Sequence, residues 1–514
     1  MKKKHFYHLI PFTLATAAVL SLAGCSASSE DSASGSSESA EEDIYNAVVV
    51  WPNVQGKVPE GLEDVEAAIN EITIPEIGVS VTLEPMDYSN LASETSLAIS
   101  GGDKLDLVLS VKTGVSSLVN NGSIIELDEL YQKYGSDITE ACGDAVAGGY
   151  YNGKLYGIPN AYIQGEKYGY LARTDILDKY GITADPNKYY TLEDLEEIFA
   201  TVKAGEGDGF YMLSQINSTY DGFAFTHAVD TLGASTASGI LLLDDNWDGT
   251  TIVNQFETEA YKKYAETMYR WAQAGYISPD AASNTDSSET LVQGGNYLGK
   301  IYYTTGTGPN DFASNTGYPM TVFEMLPAYK VTSRFQNILW SIPITSENPE
   351  KAFQLLNLFY GDNDLDVMLQ FGLEGKTYEV VEENEEGDKV IRFLPGLDSS
   401  TAPYYQNAGV YGNRLTWPVF EPNPVDINKQ LREFNASITD VTPALGYCFV
   451  TDNVQSEYAA VQAVINQYIG VISAGAIDPA LELPEFNQAL KDAGIDTIIA
   501  ENQRQLDEWL ASQQ

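Results

Sequence analysis

Cysteine, histidine and basic residues are all scarce. In 514 residues there are three Cys and three His, too few for a disulfide framework and little to support metal or general-base chemistry. Lys and Arg number 28 against 73 Asp and Glu, a formal charge of −45, so a phosphate backbone is repelled across most of the surface and nucleic-acid binding is all but excluded. There is no Gly-x-Ser-x-Gly elbow, and the one histidine beyond the N-terminus, His227, stands alone in Thr226-His227-Ala228, so a catalytic triad is not expected. No apolar run marks a polytopic membrane protein. What is plentiful is aromatic and apolar: 33 Tyr, 6 Trp and 44% hydrophobic residues with 20% charged. That is ordinary globular composition, and at about 100–200 residues per domain the length fits roughly two to four domains.

The N-terminus reads as an address and an anchor. Lys2 to Lys4 form a basic region, and residues 9–22 a mostly apolar one that contains Pro11 and is too short to span a bilayer. Leu22-Ala23-Gly24-Cys25 resembles the bacterial lipobox, so residues 1–24 are expected to be a signal peptide and Cys25 to be lipidated; the plainer reading is a free Cys near an ordinary signal-peptidase site. Residues 25–43, rich in Ser and acids, lack the apolar content to fold and read as a disordered tether.

The body alternates strands and helices. Residues 47–51 (AVVVW) suit a strand buried on both faces, 61–70 a helix, 79–83 a strand, 88–100 a helix and 105–110 (LDLVLS) a third strand, giving β-α-β-α-β and a doubly wound layer. Ligands of such sheets sit at the carboxyl ends of strands, which singles out Trp51, Asn53 and Ser110. A second α/β unit follows, with Thr191 predicted to cap a helix and Tyr261, Tyr264, Met268 and Trp271 forming one apolar stripe on a helix over 257–274. Residues 349–360 read as a helix, 377–394 as a hairpin, and 458–472, 484–493 and 500–512 as amphipathic helices.

Several small motifs read as structural. Gly306-Thr307-Gly308 lacks the third glycine and Lys of a phosphate loop, and Pro309 is expected to spoil a close helix start. The run 244–249 (DDNWDG) opens like a calcium loop, but Gln255 stands where a bidentate Glu is wanted, so a turn is expected. Cys142 and Cys448 either pair or remain two thiols. The many acids make any carboxylate pair for glycoside hydrolysis uninformative. Aromatics beside amides and carboxylates tell more, because sugar faces stack on rings while hydroxyls bond polar side chains; Trp51 with Asn53 and Gln55, Tyr162 with Gln164, Tyr302 with Tyr303, Trp340, and residues 411–417 (YGNRLTW) fit this description.

Residues 170–181 (YLARTDILDKYG), 191–195 (TLEDL), 338–357 (ILWSIPITSENPEKAFQLLN), 371–378 (FGLEGKTY), and a tail from 434–437 (FNAS) through 494–496 (GID) to 503–509 (QRQLDEW) resemble the family 1 extracellular solute-binding lipoproteins of Gram-positive ABC importers, in the LplA-like branch with a DUF3502 C-terminal region. The resemblance implies a two-lobed α/β, periplasmic-binding-protein-like (type II) Venus-flytrap that closes on its ligand. Lobe 1 is then 44–160 plus about 325–338, lobe 2 is 165–322 plus about 342–514 with the DUF3502-like region, and crossings fall near 160–165, 318–327 and 336–343. It further implies a monomer on the extracellular face of the cell membrane, held there by its lipid anchor, with an oligosaccharide ligand, permease partners and no enzymatic activity. Family pockets vary with the sugar, so the ligand residues rest on position: Trp51, Asn53, Tyr162, Tyr303, Trp340 and Tyr411. Relatives carry an Asp-rich calcium-like loop after the first lobe-two helix; residues 204–209 (AGEGDG) keep few of its oxygens, so no cofactor is expected and calcium alone stays open. A glycan-active hydrolase, an adhesin or sensor, and a peptide-binding protein are the competing readings. The acidic surface leans away from acidic oligosaccharides unless local residues such as Arg414 reverse it.

Overall fold

The computed structural model describes residues 44–111, 114–217, 219–244, 247–406 and 408–513. Within it the run of valines after Ala47 forms strand Tyr45–Asn53, whose β-branched side chains suit a pleated backbone and bury Ala47, Val49, Val50 and Trp51. This strand pairs in parallel with Val79–Asp87, from Tyr45 opposite Val79 to Asn53 opposite Asp87. Helix Leu62–Ile77 connects them, burying Leu62, Val65, Ile69 and Thr73 at spacings of three and four, and ends where Gly78 takes a left-handed conformation. Val50 N–H donates to Leu107 O at 3.0 Å, which sets strand Val108–Val111 beside them. The return strand Ile338–Ser341 runs antiparallel between Val108–Val111 and Ile158–Pro159.

A second, four-stranded sheet has the order Met320–Glu324, Tyr168–Arg173, Tyr297–Tyr303, Tyr211–Leu213. Beside it, Thr191 closes a capping box: its hydroxyl accepts from Asp194 N–H at 3.2 Å while Asp194 accepts from Thr191 N–H at 3.0 Å. Helix Glu259–Gln273 buries Tyr261, Tyr264, Met268 and Trp271, the stripe expected from the sequence.

Two large cores result, and so two lobes. One gathers side chains from 47–161, 335–371 and 378–417; the other gathers them from 168–331 and 444–506. The expected lobe boundary is corrected by this packing: of the stretch 342–514, only the C-terminal part joins the second core. Helix Pro349–Gly361 follows the return strand of the first sheet closely and lays Ala352, Phe353, Leu355, Leu356 and Phe359 into the first core. Tyr378 and Ile391 of the hairpin, together with Tyr404, Tyr411 and Trp417, stay with it.

The crossings shift accordingly. Between Ala161 and Tyr168 the chain passes from the first core to the second; Met320–Glu324 is a strand of the second sheet and Ile338–Ser341 a strand of the first, so the chain crosses back at 329–337. A third crossing, absent from the sequence reading, spans 418–443 and carries helix Ile427–Ser437.

Candidate functional site

Hydrogen bonds bind the crossings to one another and to the first lobe. Ala161 N–H donates to Gly412 O at 2.9 Å, and Arg414 N–H returns to Ala161 O at 2.9 Å; Glu166 and Tyr329 exchange backbone bonds of 2.8 and 3.0 Å. Asn435 accepts from Gln164 N–H at 2.9 Å and donates to Tyr162 O at 2.8 Å. A segment held along both edges fixes the direction of Tyr162, and this is how extended backbone between two lobes serves a site.

Two rings mark the junction. Tyr162 is half-buried, with the Arg414 guanidinium 3.6 Å from its ring centre. Tyr303 ends strand Tyr297–Tyr303, packs on Tyr168 at 4.8 Å and lies 5.4 Å from the Arg334 guanidinium; burial first, then the charge of Glu166, push its hydroxyl up to about 12. Phe225 meets Tyr168 edge-on at 5.0 Å and stacks on Tyr220 at 5.6 Å. Asn53, at the carboxyl end of the first strand, is half-buried, and its Oδ1 has no hydrogen-bond partner among the described residues.

Two cavities open where the lobes meet. One of 670 Å³ is lined by Ser117 and Asn120 of the first lobe, Ser235 and Tyr458 of the second, and Gln336 of a crossing. The other, of 520 Å³, is lined by Tyr162, Arg414 and Trp417, with Thr307 and Asp311 facing them from the second lobe. Concave walls with convergent hydroxyl, amide and aromatic groups can hold a small polar solute.

Three expected site residues are corrected to core residues. Trp51 is 2% exposed and its Nε1 donates to the Tyr404 hydroxyl at 2.9 Å. Trp340 is fully buried in the return strand, donates from Nε1 to Val410 O at 2.9 Å and stacks on Tyr411 with centroids 5.5 Å apart. Tyr411 is equally buried. Rings covered on both faces by protein offer no platform to a sugar, because a buried aromatic is already packed. Asn53, Tyr162 and Tyr303 are half-buried, and of them Tyr162 lines the 520 Å³ cavity. Arg334, Gln336 and Phe225 stand at the junction without any sequence signal beyond residue type, since what places them there is contact between distant segments.

Asp366 sits just behind Arg414. It accepts from Trp417 Nε1 at 2.6 Å and Asn413 N–H at 2.9 Å, and burial pushes its carboxyl up to about 8. An unfolded carboxyl ionises near pH 4, so the stability carried by this raised group is complete below about pH 4 and is lost as pH rises through about 8. Asp366→Asn keeps an oxygen acceptor and removes the titration. In urea melts its midpoint is expected to gain on the wild type between pH 5 and pH 8; a difference that stays constant with pH would contradict the assignment.

The remaining motifs read structurally, with one correction. His227 stacks on Phe223 at 4.1 Å, its Nδ1 lies 2.9 Å from the Thr226 hydroxyl, and burial lowers its pKa. Pro309 does not spoil a helix: helix Gly308–Thr316 begins there with Pro in its first turn, where the missing N–H costs nothing. In residues 204–209, Glu206 is engaged by Lys179 at 2.7 Å and Tyr180 at 2.8 Å. Among the described residues no group of three His, Cys, Asp or Glu side chains is placed to hold a metal. Cys142 and Cys448 are free thiols, which burial pushes up. Residues 1–43, with the signal peptide, Cys25 and the tether, lie outside the described residues, as do Asp245 and Asn246 of the run 244–249. No helix among the described residues is long and apolar enough to cross a membrane.

Residues 67–370 match the family described as bacterial extracellular solute-binding protein, and residues 443–511 match DUF3502, a domain of unknown function. A carbohydrate ABC transporter substrate-binding protein of Streptococcus pneumoniae serotype 4 is 26% identical over 466 residues, 88% of this chain and 89% of its own. Among solved structures, the N-glycan transport solute binding protein NgtS of Streptococcus pneumoniae superposes with a TM-score of 0.75 at 23% identity, covering 91% of this chain and 100% of that one. Its complex with Man1GlcNAc superposes at 0.67 and 23% identity, over 90% and 100% of the two chains. At that identity the likeness concerns the fold.

Proposed function

The chain belongs to the bacterial extracellular solute-binding proteins, and we propose that it captures an extracellular oligosaccharide by closing its two lobes and delivers it to the permease of an ABC transporter. The observation that carries this reading is the junction itself, where two separately cored lobes meet over half-buried Tyr162 and Tyr303 with amide and hydroxyl side chains around them. Half-buried rings suit the apolar face of a pyranose, and the neighbouring polar groups suit its hydroxyls. The carbohydrate transport and N-glycan transport named for its relatives point the same way.

In this reading Cys25 carries the lipid, residues 25–43 hold the folded body off the outer face of the membrane, and a single copy works as a monomer. Asn53, Tyr162 and Tyr303 contact the ligand. The protein binds its glycan without cleaving it, so no reducing ends are released from a polysaccharide.

A thermal-shift panel of neutral and acidic oligosaccharides, followed by calorimetry, tests the proposal. Ligand at 100 times its dissociation constant adds about 2.7 kcal/mol of stability, and one glycan class is expected to produce such a shift. Tyr162→Ala and Tyr303→Ala are each expected to weaken that glycan about tenfold, the loss of one stacking contact. A folded protein that responds to no glycan, or responds only to peptides, would overturn the reading.

A further inference from the structure

The chain has seven arginines, and their partners divide sharply. Arg173, Arg270, Arg392, Arg432 and Arg504 each hold a carboxylate at 2.6–3.0 Å. Arg334 and Arg414 hold none among the described residues, although acids outnumber bases 73 to 28. Both stand at the lobe junction, where Arg432 of the third crossing is by contrast held by Asp388 at 3.0 Å. Arg334 spends its Nε on Ile163 O at 3.1 Å and lies near Tyr303. Arg414 lies flat over Tyr162 at 3.6 Å, its Nε is buried without an acceptor, and the side chain lines the 520 Å³ cavity.

The surrounding charges leave the deficit standing. The acid whose charge acts on Arg414 is Asp366, and burial pushes its carboxyl up to about 8, so it brings little negative charge at neutral pH. The charge of Arg334 adds to the strain on Arg414, whose protonation burial already opposes. Glu166 supports Arg334, and Asp311, itself raised by burial, faces the cavity while accepting from Thr307 at 2.6 Å. A guanidinium presents a planar fork that matches a carboxylate or an ester sulfate, and desolvated it binds an anion far better than a hydroxyl. Screening confines the repulsion of the outer acidic surface to roughly 8 Å at physiological salt, so the local pair governs what the cleft accepts.

We propose that the cleft selects an oligosaccharide bearing an anionic group, a carboxylate or a sulfate ester, which seats against the guanidinium group of Arg414 in the 520 Å³ cavity, with Arg334 adding positive charge nearby. This rests on the proposed capture of oligosaccharide and names the class captured.

Calorimetry on the protein with matched ligands tests it: a uronate-containing oligosaccharide against its carboxyl-reduced form, and a sulfated oligosaccharide against its desulfated form. The anionic member of at least one pair is expected to bind tenfold or more tighter, with an advantage that shrinks as salt rises and disappears in Arg414→Gln. The pair that discriminates identifies the anion. The comparison changes the ligand rather than the protein, so it does not depend on the variant folding; Arg414→Lys, which keeps the charge, is expected to retain part of the preference. Equal binding of the members of both pairs would overturn this inference and leave glycan capture intact. Binding of no oligosaccharide, neutral or anionic, would instead overturn glycan capture itself, and this inference with it.

Discussion

Trp340→Ala is expected to cost about 3–5 kcal/mol of folding stability, the range for deleting a buried aromatic. The indole lies at the centre of the first core between Tyr411 at 5.5 Å and Phe359 at 6.3 Å. Its removal leaves a cavity in a sheet covered on both faces, and it strands Val410 O, which now accepts from Nε1 at 2.9 Å. An unmet buried carbonyl adds its own desolvation cost, about 1–3 kcal/mol. Because Val410 and Tyr411 precede the Gly412–Arg414 stretch that bonds to Ala161, the damage spreads to the junction. Urea melts of wild type and variant measure the effect. A variant that melts like the wild type but no longer binds glycan would return Trp340 to the ligand site.

Gly412→Ala is expected to be damaging for a different reason. A Cβ at this position would stand 1.8 Å from Phe359 O and 2.8 Å from Asp366 Oδ2, so either helix Pro349–Gly361 or the 412–414 stretch that bonds to Ala161 must move. Overpacking of this kind costs about 1–3 kcal/mol. The more telling consequence is positional: displacing residue 412 pulls on the Ala161 bond and on Arg414, and affinity for the captured glycan is expected to fall at least tenfold even where the variant remains folded. Melting and calorimetry on the same preparation separate the two effects. Wild-type stability and affinity together would show that the close approach to Phe359 carries no weight.

What sequence could and could not show divides along range of interaction. The strand over 47–51, the capped helix after Thr191 and the stripe from Tyr261 to Trp271 were legible because each depends on residues within a few positions of one another. The lobe boundary was not, because the periodicity of 349–360 states which face is buried but not which core buries it. The same limit explains the aromatics. Trp51 and Trp340 differ from Tyr162 and Tyr303 only in what distant segments lie over them: Tyr404 and Tyr411 cover the first two, while the lobe junction leaves the other pair half-open. Arg414 was visible as a basic residue in an acidic chain, yet its lack of a carboxylate is a property of the assembled fold, and so is that of Arg334.

Small-angle scattering of the protein with and without the oligosaccharide that raises its melting temperature tests the central claim most directly. Two lobes joined by three crossings are expected to close over the ligand, reducing the radius of gyration in a saturable way that tracks the calorimetric affinity. Saturating ligand with no change in compactness would contradict capture by closure.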